Sequence, residues 1–379
     1  MPSNLYYNMK TFFDTTFIQG KKLQNRFLVA PMTRVSATPH GIPTVEMQQY
    51  YTSFARGGFA GIITEGIYTD DFYSKAYPNQ PGLTNNEQLS SWQDIVSSVH
   101  QYPTVFIAQL MHAGAISQYF ARTKAPSRII PCGQKMAAYG GGSGQFPVPG
   151  ELTITEIDNV IEGFVDSAER AYEAGFDGIE LHAANGYLLD QFITPYLNLR
   201  TDRYGGSVEN RLRIIAHIIT EIRTRMPESF IVGLRISEGK VNNLNYRWPG
   251  GTTMARAILQ QVREWNISYL HVAAEHFGWE HECRYEDGSS LTGLAKEILS
   301  CPVIANGQLH NLNLSQLMLD ESLTDYFAIG KYALSNPDLP RKVFLGKELT
   351  PFDNAMLKDN PSLLSDSKRA CYFEMMGKS

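Results

Sequence analysis

Eight short apolar segments, each followed by a longer stretch of helical period, constrain the fold of this chain more than any other feature of its sequence. The segments are rich in β-branched residues, which is typical of parallel strands covered on both sides. Eight consecutive strand–helix pairs predict an α/β fold of the closed (β/α)8 barrel type. The predicted strands lie at residues 27–30, 60–64, 105–109, 178–182, 231–236, 269–273, 303–305 and 326–329.

Local signals around these strands predict two helices and a hairpin. Two segments repeat apolar residues at helical spacing, the first with Ile157, Val160, Ile161, Phe164, Ala168 and Ala171, the second with Leu212, Ile215, Ala216, Ile219 and Ile222. Ser207 is expected to cap the second helix, and Pro227 marks its end. Residues 11–24 predict a hairpin around Gln19-Gly20, of the kind that closes the bottom of a barrel.

No linker-like segment interrupts the eight units. We therefore expect residues 1–379 to form one domain, with a barrel core at about 25–345 and a C-terminal tail at about 350–379. The long connection after the third strand, residues 111–155, contains the Gly-rich stretch YGGGSG. Because it lacks the Lys and Ser/Thr of a phosphate-binding loop, we interpret this connection as a flexible lid or binding segment.

Composition excludes several classes of function. A formal net charge of -5 leaves no basic field for nucleic acid or an anionic membrane. The sequence has neither a secretory leader pattern nor an apolar run of about 18 residues, so a cytosolic protein without nucleic-acid or membrane partners is expected. The cysteines are scattered without close pairs, which argues against a metal cluster or a disulfide framework: Cys132, Cys283, Cys301 and Cys371.

The carboxyl ends of the predicted strands carry the polar residues that chemistry requires. Active sites of (β/α)8 barrels lie at this end, because the loops that follow the strands converge there. His182, Asn185 and Tyr187 follow the fourth strand within one short segment. Two nitrogen donors beside a phenol can hold a carbonyl oxygen and supply a proton. The alternative is that the first two satisfy turn backbone while the tyrosine packs.

Two further polar residues lie near strand ends. Arg235 ends the fifth strand and Gln109 the third. A cation at a barrel mouth needs an anionic or electron-rich partner, which is either a ligand or a neighbouring acid in an ion pair. Gln109 carries both a donor and an acceptor, and the sequence leaves open whether it contacts a ligand or is structural.

The last two strand–helix units predict a phosphate site. Barrels often bind phosphate after the seventh and eighth strands, where backbone N–H groups face the anion. Gly307, Gly330 and Lys331 fall there, with glycines that permit close approach and a lysine that compensates charge. Ordinary turn chemistry is the alternative for each glycine taken alone.

With these residues in place, the chain resembles the Old Yellow Enzyme family of flavin-dependent reductases from about Phe12 to Leu345. The most specific stretches are HAANGYLLDQF and TDRYGGSVENR, and NRFLVAPMTR, FARGGFAGIITEG, FIAQLMHAG, LRIS and SNPDLP match in order. The resemblance implies non-covalent FMN across the barrel mouth. By similarity, the flavin ring is expected beside Pro31, Met32, Thr33 and Gly66, its pyrimidine edge beside Gln109 and Arg235, and its phosphate beside Gly307, Gln308, Gly330 and Lys331.

The resemblance also implies a reaction. NADPH or NADH reduces FMN and leaves, and an α,β-unsaturated carbonyl or nitro compound then takes its place in a ping-pong cycle. His182 and Asn185 are expected to bind the oxygen of that substrate. Hydride passes from flavin N5 to the β-carbon, and Tyr187 is expected to protonate the α-carbon.

The chain departs from the family pattern at several positions. Met111 stands where an aromatic residue usually shapes the substrate pocket, and Lys331 replaces the usual arginine. Asn306 replaces a small residue, and no aromatic is recognisable at residues 354–356. Lys331 and Asn306 keep open the alternative of a flavin-binding barrel with weakened or lost catalysis, and a barrel lyase or aldolase without flavin is a further alternative.

Overall fold

The strands of the chain are short, and most belong to one sheet. The structure, a computed structural model, describes residues 10–274, 276–357, 361–365 and 368. In chain order the strands are β1 (Thr16–Ile18), β2 (Lys21–Leu23), β3 (Phe27–Val29), β4 (Gly61–Ile63), β5 (Ile67–Tyr68), β6 (Val105–Met111), β7 (Lys124–Ala125), β8 (Gly150–Glu151), β9 (Gly178–Asn185), β10 (Ile231–Lys240), β11 (Tyr269–Val272), β12 (Val303–Asn306) and β13 (Tyr326–Ile329).

Helices follow these strands and cover the outside of the sheet. In chain order they are α1 (Val45–Gly57), α2 (Asn86–Val99), α3 (Ile154–Glu173), α4 (Leu188–Ile193), α5 (Val208–Arg225), α6 (Thr252–Arg263), α7 (Trp279–Glu282), α8 (Leu291–Ile298), α9 (Leu312–Asp320), α10 (Lys331–Ser335) and α11 (Leu339–Phe344). Short 3-10 turns lie at Gly114–Ile116, Ala137–Tyr139 and Asn354–Leu357.

The sheet closes on itself as a barrel of eight parallel strands. Its strands pair in the order β3, β4, β6, β9, β10, β11, β12 and β13, and β13 pairs back with β3. The predicted (β/α)8 barrel and all eight predicted strands are therefore confirmed. β9 and β10 continue beyond their predicted ends, because Lys240 still pairs with Asn185 after an irregularity that begins at Ile236. The apolar pattern stops earlier than the strands do.

Helices α3 and α5 lie where the periodicity predicts them. The apolar stripe predicted for α3 is buried, and Ser207 caps α5 by accepting a hydrogen bond from the N–H of Asn210. The stripe predicted for α5 is wrong at Ala216, which is only half-buried, whereas Ile214 and Ile218 are fully buried. This helix packs against α3, α4 and α6, so its buried face is wider than one stripe.

The predicted N-terminal hairpin closes the amino end of the barrel. β1 and β2 pair antiparallel around Gln19 and Gly20, which both have the positive φ that a tight hairpin turn requires. Ile18 and Leu23 are fully buried and pack with barrel-interior side chains such as Leu28. The opposite, carboxyl end of the barrel is therefore the end that remains for a site.

The structure also bears on the cysteines and on membrane association. Cys132, Cys283 and Cys301 are free thiols, and Cys371 lies outside the described residues. Within the described ranges, His, Cys, Asp and Glu side chains do not group in a way that could hold a metal ion. No helix in this part of the chain is both long and apolar enough to cross a membrane.

Candidate active site

A cavity of about 480 Å³ opens at the carboxyl end of the barrel. Every site residue predicted from the sequence lines it. These residues come from loops and strand ends that are far apart in the chain: Pro31, Met32, Thr33, Gly66, Gln109, Met111, His182, Asn185, Tyr187, Arg235, Gly307, Gln308, Gly330 and Lys331.

The end of β9 positions the first group of side chains. His182 and Asn185 lie within the strand, and Tyr187 immediately precedes α4. Asn185 has a φ of 64°, in the left-handed region that asparagine tolerates better than most residues. Its N–H donates to Ser237 Oγ on β10 at 2.8 Å. The strand therefore turns sharply here while it remains tied to its neighbour.

A buried ion pair fixes the other side of the same turn. The N–H of Gly186 donates to Asp190 Oδ2 at 2.6 Å. Asp190 Oδ1 accepts from Lys240 Nζ at 2.6 Å, and both of these side chains are completely buried. Because each charge is satisfied by the other, the pair can remain in a low-dielectric interior and hold the turn in place.

His182 lies in surroundings that favour its neutral form. Burial lowers its pKa well below the usual value, and the positive charges of Arg235 and His271 lower it further. Its Nδ1 and the Oδ1 of Asn185 are buried and have no hydrogen-bond partner among the residues that the structure describes. Buried polar atoms normally have partners, so these two atoms are available to a ligand in the cavity.

Tyr187 shares its wall of the cavity with a second tyrosine. Its ring lies 4.9 Å from that of His182, and its hydroxyl is 2.8 Å from the hydroxyl of Tyr77. Sequence reasoning did not identify Tyr77, which lies in a loop after β5 and is 110 positions away from Tyr187. Neither a motif nor a periodic pattern links the two residues.

A hydrogen-bonded layer lies among the interior side chains of the barrel. Glu180 accepts from Gln109 Nε2 at 2.7 Å, from the Tyr269 hydroxyl at 3.0 Å and from His271 Nδ1 at 2.9 Å. Burial raises the pKa of Glu180, but His271, Arg235 and Gln109 outweigh this and hold it below the usual value. The carboxylate therefore fixes the amide nitrogen of Gln109, whose oxygen remains an acceptor at the cavity.

Arg235 is held at the cavity by a residue that departs from the family pattern. Its Nη2 donates to Asn306 Oδ1 at 3.3 Å, and Asn306 Nδ2 donates to the carbonyl oxygen of Ala328 at 2.9 Å. Asn306 thus connects β10 with β13 and orients the guanidinium. The departure from a small residue has a structural role of its own.

The segments after β12 and β13 form the predicted phosphate end of the cavity. Gly307 has a φ of 123°, and a Cβ there would lie 2.4 Å from the carbonyl oxygen of Ala274, so only glycine fits. Lys331 begins α10 directly after Gly330 and is exposed, with Nζ 6.0 Å from the centre of the Phe352 ring. Backbone N–H groups and an exposed cation can therefore approach the same anion.

The long connection after β6 supplies part of the cavity wall. Met136 and Tyr139 line the cavity, and the N–H of Met136 donates to Gln118 Oε1. The Tyr139 ring lies 4.8 Å from that of Tyr77. Phe352, from the C-terminal segment, is a further lining residue, so an aromatic does reach the cavity although residues 354–356 contain none.

Comparison with known proteins agrees with this geometry. Residues 12–349 match the model of the NADH:flavin oxidoreductase / NADH oxidase family. A putative 12-oxophytodienoate reductase-like protein of Arabidopsis thaliana is 32% identical over 86% of this chain and 98% of its own length. The NADH oxidase of Thermoanaerobacter brockii is 30% identical over 89% of this chain, which spans only 52% of that protein.

Similarity to a solved structure supports the same family assignment. An Old Yellow Enzyme homologue from Zymomonas mobilis superposes with a TM-score of 0.83 and 25% sequence identity, over 96% of this chain and 99% of that one. The family match extends over most of the chain and includes the barrel and most of the residues that line the cavity. The chain therefore belongs to the NADH:flavin oxidoreductase family of Old Yellow Enzyme-like proteins, whose cofactor is FMN.

Proposed function

We propose that this protein is an FMN-dependent NAD(P)H oxidoreductase that reduces the activated C=C bond of α,β-unsaturated carbonyl or nitro compounds. The observation that carries the proposal is the wall formed by His182, Asn185 and Tyr187 in the cavity of an FMN-family barrel. In the same proposal residues 1–379 form a single domain and act in the cytosol. The proposal includes neither nucleic-acid nor membrane partners, and the net charge of -5 supports this part of it.

The residues at the cavity fit FMN. The close backbone approach at Gly307 and the adjoining Gly330, Gln308 and Lys331 suit a phosphate, and Arg235 suits the electron-rich edge of the ring. The remaining FMN contacts in the proposal come from Pro31, Met32, Thr33, Gly66 and Gln109. When bound, FMN would accept hydride from NADPH or NADH and deliver hydride from N5 to the substrate.

His182 and Asn185 are proposed to bind the oxygen of the substrate. A neutral imidazole keeps one N–H to donate, and the amide of Asn185 supplies another donor. Fixed donors in a site that excludes water stabilise negative charge as it develops on a carbonyl or nitro oxygen. Met111, which packs against Gly66, would shape the pocket for the rest of the substrate.

Tyr187 is proposed to protonate the α-carbon. Its side chain is buried beside His182, on the same wall as the oxygen-binding donors. A substrate oxygen held there would place the adjacent carbons near the phenol. A positioned proton donor of this kind contributes about 10²–10⁴-fold to a rate.

Two half-reactions under nitrogen test the proposal. Protein reconstituted with FMN is mixed with NADPH or with NADH, and bleaching of the visible flavin band is followed by stopped flow. The reduced protein is then mixed with 2-cyclohexenone, a maleimide or a nitroalkene. Rapid bleaching followed by substrate-dependent recovery of the band is expected. Stable binding of FMN with neither step would favour a flavin-binding protein without catalysis, and failure to bind FMN would favour a flavin-free lyase.

A further inference from the structure

The hydroxyl groups of Tyr77 and Tyr187 lie 2.8 Å apart inside the cavity wall. Both side chains are buried, with exposed fractions of 2% and 5%. Either oxygen can be the donor, so the pair can pass a proton in either direction. A short contact between two phenols is a specific arrangement, since apolar packing alone would be served by phenylalanine.

The backbone around Tyr77 is fixed on both sides. Gln80 Oε1 accepts from the N–H of Ala76 at 2.6 Å, and Gln80 Nε2 donates to the carbonyl oxygen of Gly66 at 2.7 Å. The carbonyl oxygen of Ala76 accepts from the N–H of Gln118 at 2.7 Å. These bonds tie the loop to the segment between β4 and β5 and to the long connection, so the backbone that carries Tyr77 has a defined place.

The proposed reaction leaves a negative charge on the Tyr187 oxygen, which a neighbouring hydroxyl can stabilise. When Tyr187 gives its proton to carbon, its O–H bond breaks, a C–H bond forms with the electron pair of the enolate, and a phenolate remains. A buried anion without a donor is costly. The Tyr77 hydroxyl lies within hydrogen-bond distance of that oxygen and can donate to it.

We propose that Tyr77 donates its hydroxyl proton to Tyr187 as Tyr187 protonates the substrate, and that Tyr77 recovers a proton from solvent at the lid. This inference rests on the proposed function. Each transfer breaks one O–H bond and forms another bond to the same hydrogen, so the pair ends the cycle unchanged once one proton has entered from water. Tyr77 is thus a positioning residue that acts through Tyr187.

Part of the long connection after β6, the predicted lid, packs next to Tyr77 and reaches the surface. Tyr139 is half-buried, and its ring lies 4.8 Å from that of Tyr77 on the side of the long connection. Its neighbours Ala137, Ala138 and Gly140 are exposed. Tyr77 therefore lies between the buried hydroxyl of Tyr187 and a part of the wall that reaches water.

The test compares Tyr77→Phe with Tyr187→Phe and with Tyr172→Phe, a matched control that removes a hydroxyl from the outer surface of α3. Stopped flow measures both half-reactions of the FMN-loaded enzyme with 2-cyclohexenone. Tyr77→Phe should slow enone reduction by about tenfold, as expected for loss of a charge-assisted hydrogen bond, and leave flavin reduction by the nicotinamide unchanged. The control should match the wild type in both steps.

A proton inventory in H₂O–D₂O mixtures separates transfer from packing. The plot for enone reduction should be more strongly curved in the wild type than in Tyr77→Phe, because one more proton moves in the wild type. A rate like that of the wild type, or a slower rate with an unchanged inventory, would overturn the role of Tyr77. If the FMN-loaded wild type does not reduce enones at all, the proposed function fails, and if Tyr187→Phe reduces them at the wild-type rate, the proton-donor role of Tyr187 fails, so either failure is distinguished from a failure of Tyr77 alone.

Discussion

Asp190 and Lys240 form an ion pair of 2.6 Å whose two side chains are completely buried beside the turn that carries Asn185 and Tyr187. Asp190 also accepts from the N–H of Gly186, and Lys240 pairs in register with Asn185. The pair therefore holds the turn from α4 on one side and from β10 on the other. The geometry of the proposed oxygen-binding and proton-donating groups depends on two charged residues that do not line the cavity.

Replacement of Lys240 by methionine should destabilise the protein strongly. Removal of one partner leaves a buried carboxylate without compensation, which costs about 3–5 kcal/mol of unfolding free energy. Urea unfolding followed by circular dichroism measures the loss. Arg256→Met, which breaks the exposed pair with Glu297, is the matched control and should barely move the midpoint. Equal effects of the two substitutions would contradict the role given to the buried pair.

Glu65→Gln should alter how stability depends on pH. Burial raises the pKa of Glu65 to about 7, although the N–H groups of Arg34 and Val35 donate to it. Because the folded-state pKa is raised, the contribution of Glu65 to the free energy of unfolding falls as pH rises from about 4.5 to about 7 and then levels off. The free energy of unfolding of Glu65→Gln, relative to that of the wild type, should increase across that pH window by roughly 3 kcal/mol at most. A gap that stays constant with pH, measured by urea unfolding, would refute the assignment.

His182 should remain neutral throughout the physiological range. Its pKa is lowered by burial and by the charges of Arg235 and His271, so protonation requires a pH well below 6.5. In an NMR titration of ¹⁵N-histidine-labelled, FMN-loaded protein, the His182 ring signals should not move between pH 6 and 8. His182→Gln identifies those signals by their loss. A midpoint near 6.5 for them would show that the ring is charged at lower pH and that the oxygen-binding role needs revision.

Lys331→Arg should tighten FMN binding. The lysine offers a single point charge near the proposed phosphate position, whereas a guanidinium can make two parallel hydrogen bonds to a phosphate. A fall in the FMN dissociation constant on the order of fivefold is expected, measured by flavin fluorescence. Lys347→Arg, at an exposed position that does not line the cavity, serves as the control. Unchanged or weaker binding in Lys331→Arg would argue against a phosphate contact by residue 331.

The sequence predicted the barrel because each strand and helix carries its own local pattern. Several cavity residues followed from the same pattern, since His182 and Arg235 lie at or near the ends of predicted strands and Gly307 follows one, where a barrel gathers its loops. Contacts between distant loops have no corresponding local pattern in the sequence. Tyr77 and Tyr187 meet across 110 positions, and neither local spacing nor periodicity links them.

The same reason explains what sequence patterns missed around the turn after β9. Asp190 and Lys240 lie 50 positions apart, and each would pass as a surface charge until the fold buries both. The sequence shows only that Asn306 replaces a small residue of the family pattern. Its hydrogen bonds to Arg235 and Ala328 depend on the pairing of β12 and β13 and on the position of β10. Residue type and spacing do not predict which distant side chains will form an ion pair or a hydrogen bond.

The central claim is that Tyr187 supplies the proton while His182 and Asn185 hold the substrate oxygen. The direct test is stopped-flow measurement of both half-reactions in the wild type and in Tyr187→Phe, with NADPH as reductant and 2-cyclohexenone as oxidant. We predict that the variant is reduced by NADPH at nearly the wild-type rate but is reoxidised by cyclohexenone at least about 10²-fold more slowly. Equal losses in both half-reactions, or an unchanged reoxidation rate, would contradict the claim.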